Sequence, residues 1–73
     1  MKLTYDAQVD SLYLRLSDSP VFESQEVRPG VVTDLNEADE VVAIEIRGVK
    51  RLHPSFDPTR LTVDLASTAE AGG

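Results

Sequence analysis

A small, mainly β domain is the fold this sequence predicts: an antiparallel meander of five to six strands with a short helical turn near residues 49–57. Three observations carry that reading. Apolar residues recur at every second position in several separate runs. Turn signals break those runs at short intervals, with SDSP at 17–20, RPG at 28–30 and NEADE at 36–40. A chain of 73 residues has room for one domain only.

The elements follow in chain order. In KLTY, Leu3 and Tyr5 share a face. In SLYLRLS (11–17), Leu12, Leu14 and Leu16 take one face and Tyr13 and Arg15 the other. A helix would set Leu12 and Leu14 about 200° apart and scatter the stripe. Leucine favours helices, so the strand rests on pattern and not on propensity. VFESQEV (21–27) alternates weakly, as an edge strand or a strand with one wet face would. In RPG, Pro29 fixes φ and Gly30 permits a positive φ. VVTDL (31–35) is strand-like and NEADE is an acidic connector. VVAIEIR (41–47) is the strongest strand, with Val42, Ile44 and Ile46 on one face and Val41, Ala43, Glu45 and Arg47 opposite. The predicted core is Leu12, Leu14, Leu16, Val42, Ile44 and Ile46.

After Gly48 the pattern loosens. VKRLHPSFDP (49–58) holds two prolines and reads as a connection containing a helical turn. TRLTVDL (59–65) alternates again. A helix started by Asp57 with Pro58 in its first turn is the rival there, but β-branched Thr62 and Val63 favour a strand. Residues 67–73, STAEAGG, read as a flexible C-terminal tail, which leaves 1–66 as the single small β domain.

Small chains struggle to stay folded. Ordering costs about 1.5 kcal/mol per residue, and burial barely offsets it at this size. Disulfides are excluded because there is no cysteine, and a single histidine, His53, excludes a multi-histidine zinc site. No cofactor is expected. A single sheet also leaves an apolar face to be covered. The sequence therefore points to a homodimer, with Val21, Phe22, Leu61 and Val63 as candidate interface residues.

Thirteen acidic and seven basic residues give a net charge of −6. That balance, with the basic residues dispersed, argues against nucleic acid as a partner. Two tyrosines and two phenylalanines are too few for a base-stacking platform. No apolar run reaches the roughly 20 residues of a membrane span, and the start lacks the apolar core of a signal peptide. The expected protein is soluble and cytoplasmic, the lack of cysteine fitting a reducing compartment.

Four residues are candidates for ligand or interface contacts: Asp6, Asp10, Tyr13 and Arg15. Asp6 and Asp10 could pair as carboxylates for a hard cation. Aspartates flanking a turn more often bond local N–H groups. Arg15 could clamp an anion or pair across strands with Glu23 or Glu45. Tyr5 and Tyr13 read as packed rings with the hydroxyl at the rim. His53, Ser55 and Asp57 lie close in sequence, which is not triad geometry. The chemistry expected is that of a non-catalytic interaction module that self-associates and binds a basic protein partner. A small-ligand or metal-ion binder using Asp6, Asp10 and Arg15 is the alternative.

YDAQVDSLYLRLS (5–17) resembles the opening of the DUF2283 family: Tyr-Asp, three residues, Asp, a small residue, Leu-Tyr-aliphatic-Arg-aliphatic-Ser. The resemblance continues through Glu23, the EV at 26–27 and GVVTDLNEADEVVAIEI (30–46), and covers roughly residues 2 to 52. It implies a small, mostly β domain and no established catalytic residues. It also implies an antidote-like role opposite small toxin-like or nuclease-like proteins. NEADEV departs from the family's acidic-Asn-Gly hairpin tip, which puts the tightness of that turn in doubt. Nothing after Leu52 matches a motif of the family.

Overall fold

A computed structural model describes residues 1–67 of the chain. Five strands form one antiparallel sheet: β1 (Lys2–Asp6), β2 (Ser11–Arg15), β3 (Glu23–Arg28), β4 (Val31–Leu35) and β5 (Val41–Arg47). One short helix among the described residues, α1 (Val49–Leu52), follows. The spatial order is β1-β2-β5-β4-β3. The chain runs β1–β2 as a hairpin, crosses the end of the sheet at 16–22, then meanders β3–β4–β5 until β5 closes on β2. The mainly β antiparallel meander expected from the alternation is the fold observed.

Register fixes the two faces, because directly paired residues project to the same side. Leu3↔Leu14↔Ile44↔Thr33 and Tyr5↔Leu12↔Ile46↔Val31 form two cross-strand rows on one side. The other side carries Lys2↔Arg15↔Ala43↔Asp34↔Ser24 and Thr4↔Tyr13↔Glu45↔Val32↔Glu26. One face is thus apolar and the other mainly polar.

Two irregularities interrupt the ladders. Glu26 pairs with Val32 while Arg28 pairs with Val31, so Val27 is the extra residue of β3. Asp34 pairs with Ala43 while Leu35 pairs with Val41, so Val42 is the extra residue of β5. Bulges of this kind bend and twist a strand locally. The turn before β4 needs Gly30, whose φ is +82° and whose added Cβ would lie 3.4 Å from the Arg47 carbonyl. The NEADE tip is closed despite its missing glycine. The Asn36 side chain accepts the Glu40 N–H at 2.9 Å, and Asp39 adopts the positive φ (64°) that asparagine and aspartate tolerate.

The buried core is smaller than the sequence predicted. Val32, Leu35, Val42, Ala43 and Val49 are the buried apolar residues among those described. Of the expected core, Val42 is buried, Leu12, Leu14, Leu16 and Ile44 are half-buried, and Ile46 is exposed. The physical reason is that a single layer gives each side chain in-plane neighbours but nothing above it.

The strand expected at 59–65 does not form, and neither does its helical rival; 61–67 carry no regular structure. Asp57 holds a local turn instead, accepting from the Thr59 N–H (2.9 Å) and hydroxyl (2.7 Å), while the Arg60 N–H donates to the Asp57 carbonyl. Alternation alone cannot make a strand without a neighbouring strand to satisfy its backbone. The helical turn expected near 49–57 occupies only Val49–Leu52. The flexible tail expected at 67–73 lies outside the described residues apart from Ser67.

Candidate functional site

The four candidate residues divide between two structural roles. Asp6 and Asp10 flank the β1–β2 turn, and each spends its carboxylate on N–H groups. Asp6 Oδ1 accepts the Gln8 N–H at 3.0 Å and shapes its own turn. Asp10 reaches much further. Its Oδ1 accepts from the Tyr5 hydroxyl (2.7 Å) and the Lys50 N–H (2.9 Å), and its Oδ2 from the Arg51 N–H (3.0 Å). The N-cap of α1 is Gly48, which has no side chain to satisfy the orphan donors. Asp10 supplies that cap from 40 residues earlier in the chain, and its carbonyl also accepts the Gly48 N–H at 2.7 Å. The Tyr5 hydroxyl and then the Lys50 N–H hold the Asp10 carboxyl below its usual value. The Tyr5 hydroxyl is held above its usual value by the same bond to Asp10.

Tyr13 and Arg15 lie on the polar face. The Tyr13 hydroxyl donates to Asp34 Oδ2 at 2.6 Å, and Ser24 Oγ donates to Asp34 Oδ1 at 2.6 Å. Tyr13 is on β2 and Asp34 on β4, so the ring crosses the intervening β5. The crossing passes Ala43, which pairs with both Arg15 and Asp34 and is 0% exposed. Ala43, directly opposite Asp34, carries no side chain beyond Cβ to obstruct that crossing. The bond to Asp34, more than desolvation, raises the Tyr13 hydroxyl above its usual value, with the Arg15 guanidinium acting in the opposite sense. Arg15 donates to the Ser19 carbonyl at 2.7 Å, and so ties the crossover to β2. It pairs with neither Glu23 nor Glu45, the cross-strand partners the sequence suggested. Glu45 accepts from Ser11 Oγ at 2.6 Å and lies 3.3 Å from the Arg47 guanidinium.

Asp6, Asp10 and Arg15 therefore do not meet at one point. His53, Ser55 and Asp57 likewise form no catalytic trio, since Asp57 is occupied by Thr59 and faces Arg60 at 3.7 Å. On the polar face Asp34 accepts from two hydroxyls, Glu45 accepts from the Ser11 hydroxyl beside the Arg47 guanidinium, and Glu26 accepts the Gly30 N–H at 3.2 Å. Among the described residues no group of three or more His, Asp or Glu side chains is placed to hold a metal ion.

The apolar face is the other candidate. Phe56 folds back against the Tyr5 ring, with centroids 5.0 Å apart, and covers one corner. Leu3 (45%) and Ile46 (36%) stay exposed on that face. Of the predicted interface residues, Val21 and Phe22 line an open depression of about 320 Å³ at the crossover end, together with Pro20, Asn36 and Ala38. Leu61 and Val63 are exposed on the C-terminal segment. Asp34, Ala43 and Asp10's distant helix are the parts of the site that sequence reasoning missed. The only signal for them was the mixed character of the polar face, since cross-strand pairing is not visible before register is known.

No helix among the described residues is long and apolar enough to cross a membrane. A family model described as a protein of unknown function, DUF2283, matches residues 2–50, about two thirds of the chain and all five strands. No curated protein and no solved structure matches.

Proposed function

The chain belongs to the DUF2283 family, whose function is unknown, and we propose that it acts as a non-catalytic interaction module that self-associates through the apolar face of its sheet. The observation that carries this reading is the uncovered row Leu3–Leu14–Ile44 beside Tyr5–Leu12–Ile46, none of whose members is fully buried. A second copy laid face to face would supply the missing layer, as in a two-layer sandwich. A symmetric homodimer is the simplest closed arrangement. Light scattering at micromolar concentration tests it: a dimer is expected, and a stably folded monomer would sink the reading. Ile46→Lys should convert the dimer to monomer with the strand signature retained in circular dichroism.

A basic protein is the outside partner that the charge favours. Glu23 and Glu26 on the edge strand β3 and Glu37, Asp39 and Glu40 at the hairpin tip are all exposed. They place acidic groups along one end of a chain of net charge −6, which would steer a cationic surface toward it. An antidote-like module covering a basic protein is consistent with this. Its test is a salt-eluted pull-down in which charge reversal at Glu23 and Glu26 abolishes recovery of the basic protein. Recovery of no basic protein from the wild type would count against it.

A further inference from the structure

We propose that residues 60–65 of one copy pair antiparallel with β1 of a second copy, adding an exchanged sixth strand to each sheet. The inference deepens the self-association reading and rests on it.

The segment has the pattern of a strand but pairs with no strand among the described residues. Leu61, Val63 and Leu65 are 48%, 87% and 90% exposed. Strand β1 is an edge of the sheet, so one side of its backbone is unpaired. One antiparallel register satisfies every position. It sets Leu65 opposite Met1, Val63 opposite Leu3 and Leu61 opposite Tyr5, all on the apolar side. On the polar side it sets Asp64 opposite Lys2, Thr62 opposite Thr4 and Arg60 opposite Asp6. Opposite charges meet at both ends, and a threonine pair meets between them, both favourable cross-strand combinations. The parallel alignment with the same apolar positions would set Thr62 beside Lys2 and Asp64 beside Thr4 and so forfeits both charge pairs, and sliding it by two residues sets Arg60 beside Lys2 and Asp64 beside Asp6, where like charges reject it.

Two further features favour β1. Lys2 pairs directly with Arg15, a like-charge neighbour that Asp64 would neutralise. No ion pair engages Lys2 or Asp64 among the described residues, and Arg60 has only the long, exposed contact to Asp57. The other edge, β3, is unreceptive. It puts Glu23 and Gln25 on the apolar side and is bulged at Val27, both devices that protect an edge.

Area points to a second copy as the source of the arm. Five strands about 17 Å long and about 4.8 Å apart give a face of roughly 400 Å², hence roughly 800 Å² for two copies face to face. Stable interfaces bury about 1,200–2,000 Å². Two arms, each about 20 Å long on an edge about 10 Å deep, add roughly 400 Å² apiece counting both sides, which brings the dimer into that range. Within the isolated chain the segment stays off the edge, although Phe56 anchors the chain at Tyr5 within reach of it.

The chain has no cysteine, so a cross-link is unambiguous. The double variant Leu3→Cys/Val63→Cys, mildly oxidised, is expected to run as a covalent dimer on a non-reducing gel. A mixture of the two single variants should give a mixed dimer. A monomer with an internal disulfide would overturn the exchange by assigning the arm to its own β1. In parallel, Asp64→Lys should raise the dimer Kd at least about fivefold, and adding Lys2→Glu should restore it. A wild-type dimer whose Kd is indifferent to Asp64→Lys would overturn the arm pairing and leave self-association through the face standing. A monomeric wild type would remove both.

Discussion

The Asp10 carboxylate accepts the Lys50 N–H at 2.9 Å, so the turn of the first hairpin caps a helix that begins after the last strand. The same carboxylate holds the Tyr5 hydroxyl and the Arg51 N–H. Asp10 also sits at a φ of +53°, a conformation that aspartate, asparagine and glycine adopt more readily than other residues. Asp10→Ala thus loses the cap and strains the backbone together. It should lower the melting temperature by roughly 4–8 °C, the usual effect of losing a cap in a domain of this size. Asp10→Asn keeps an acceptor oxygen and the tolerated φ, and should cost clearly less. Thermal melts of the two variants side by side check this; equal losses would refute the capping account.

The Tyr13–Asp34 bond sets a second expectation. Because the ring crosses β5 past Ala43, enlarging residue 43 obstructs it. Ala43→Leu should destabilise the domain by about 1–3 kcal/mol, as overpacking of a filled site does. It should also bring the Tyr13 titration back toward the ordinary tyrosine range. Tyr13→Phe removes the hydroxyl and leaves Asp34 one donor short. Chemical denaturation and ultraviolet pH titration read the two effects separately.

Exposure of the apolar face predicts concentration dependence. If the face is covered by a second copy, the melting temperature should rise with protein concentration, since association stabilises only the folded state. Ile46→Lys should flatten that dependence. Calorimetry over a hundredfold range of concentration measures it, and a midpoint independent of concentration would argue against the dimer.

Stability should hold on a plateau with two edges. The folded Asp10 carboxyl lies below its usual value, first because of the Tyr5 hydroxyl and then because of the Lys50 N–H. A carboxyl lowered on folding contributes stability above its unfolded value, about pH 4, and that contribution disappears as pH falls through the lower folded value. Asp57, lowered by the Thr59 hydroxyl and N–H, acts in the same direction. Tyr5 and Tyr13 are raised by Asp10 and Asp34 respectively. Their contribution is complete below about pH 10 and is lost as pH rises through the higher folded values. Urea midpoints against pH should show both edges, and Asp10→Asn should soften the acid one.

The five strands of the sheet, and their faces away from the bulges, were legible in the sequence because period-two alternation is a local property. Leu12 and Leu14 against Tyr13 and Arg15, and Ile44 and Ile46 against Ala43 and Glu45, could be sorted from spacing alone. The turns at Gly30 and Asn36 were equally local. What each face meets was not legible, because it depends on which strands become neighbours. Only the order β1-β2-β5-β4-β3 carries Tyr13 over Ala43 to Asp34 and puts Asp10 beside the start of α1. Tertiary structure alone also decided that residues 59–65 are not a strand in the single chain. Their alternation is a capacity to pair, and pairing needs a free edge whose side chains and charges match. Sequence thus determined the character of each strand surface, while the fold decided which surfaces are satisfied and which stay exposed.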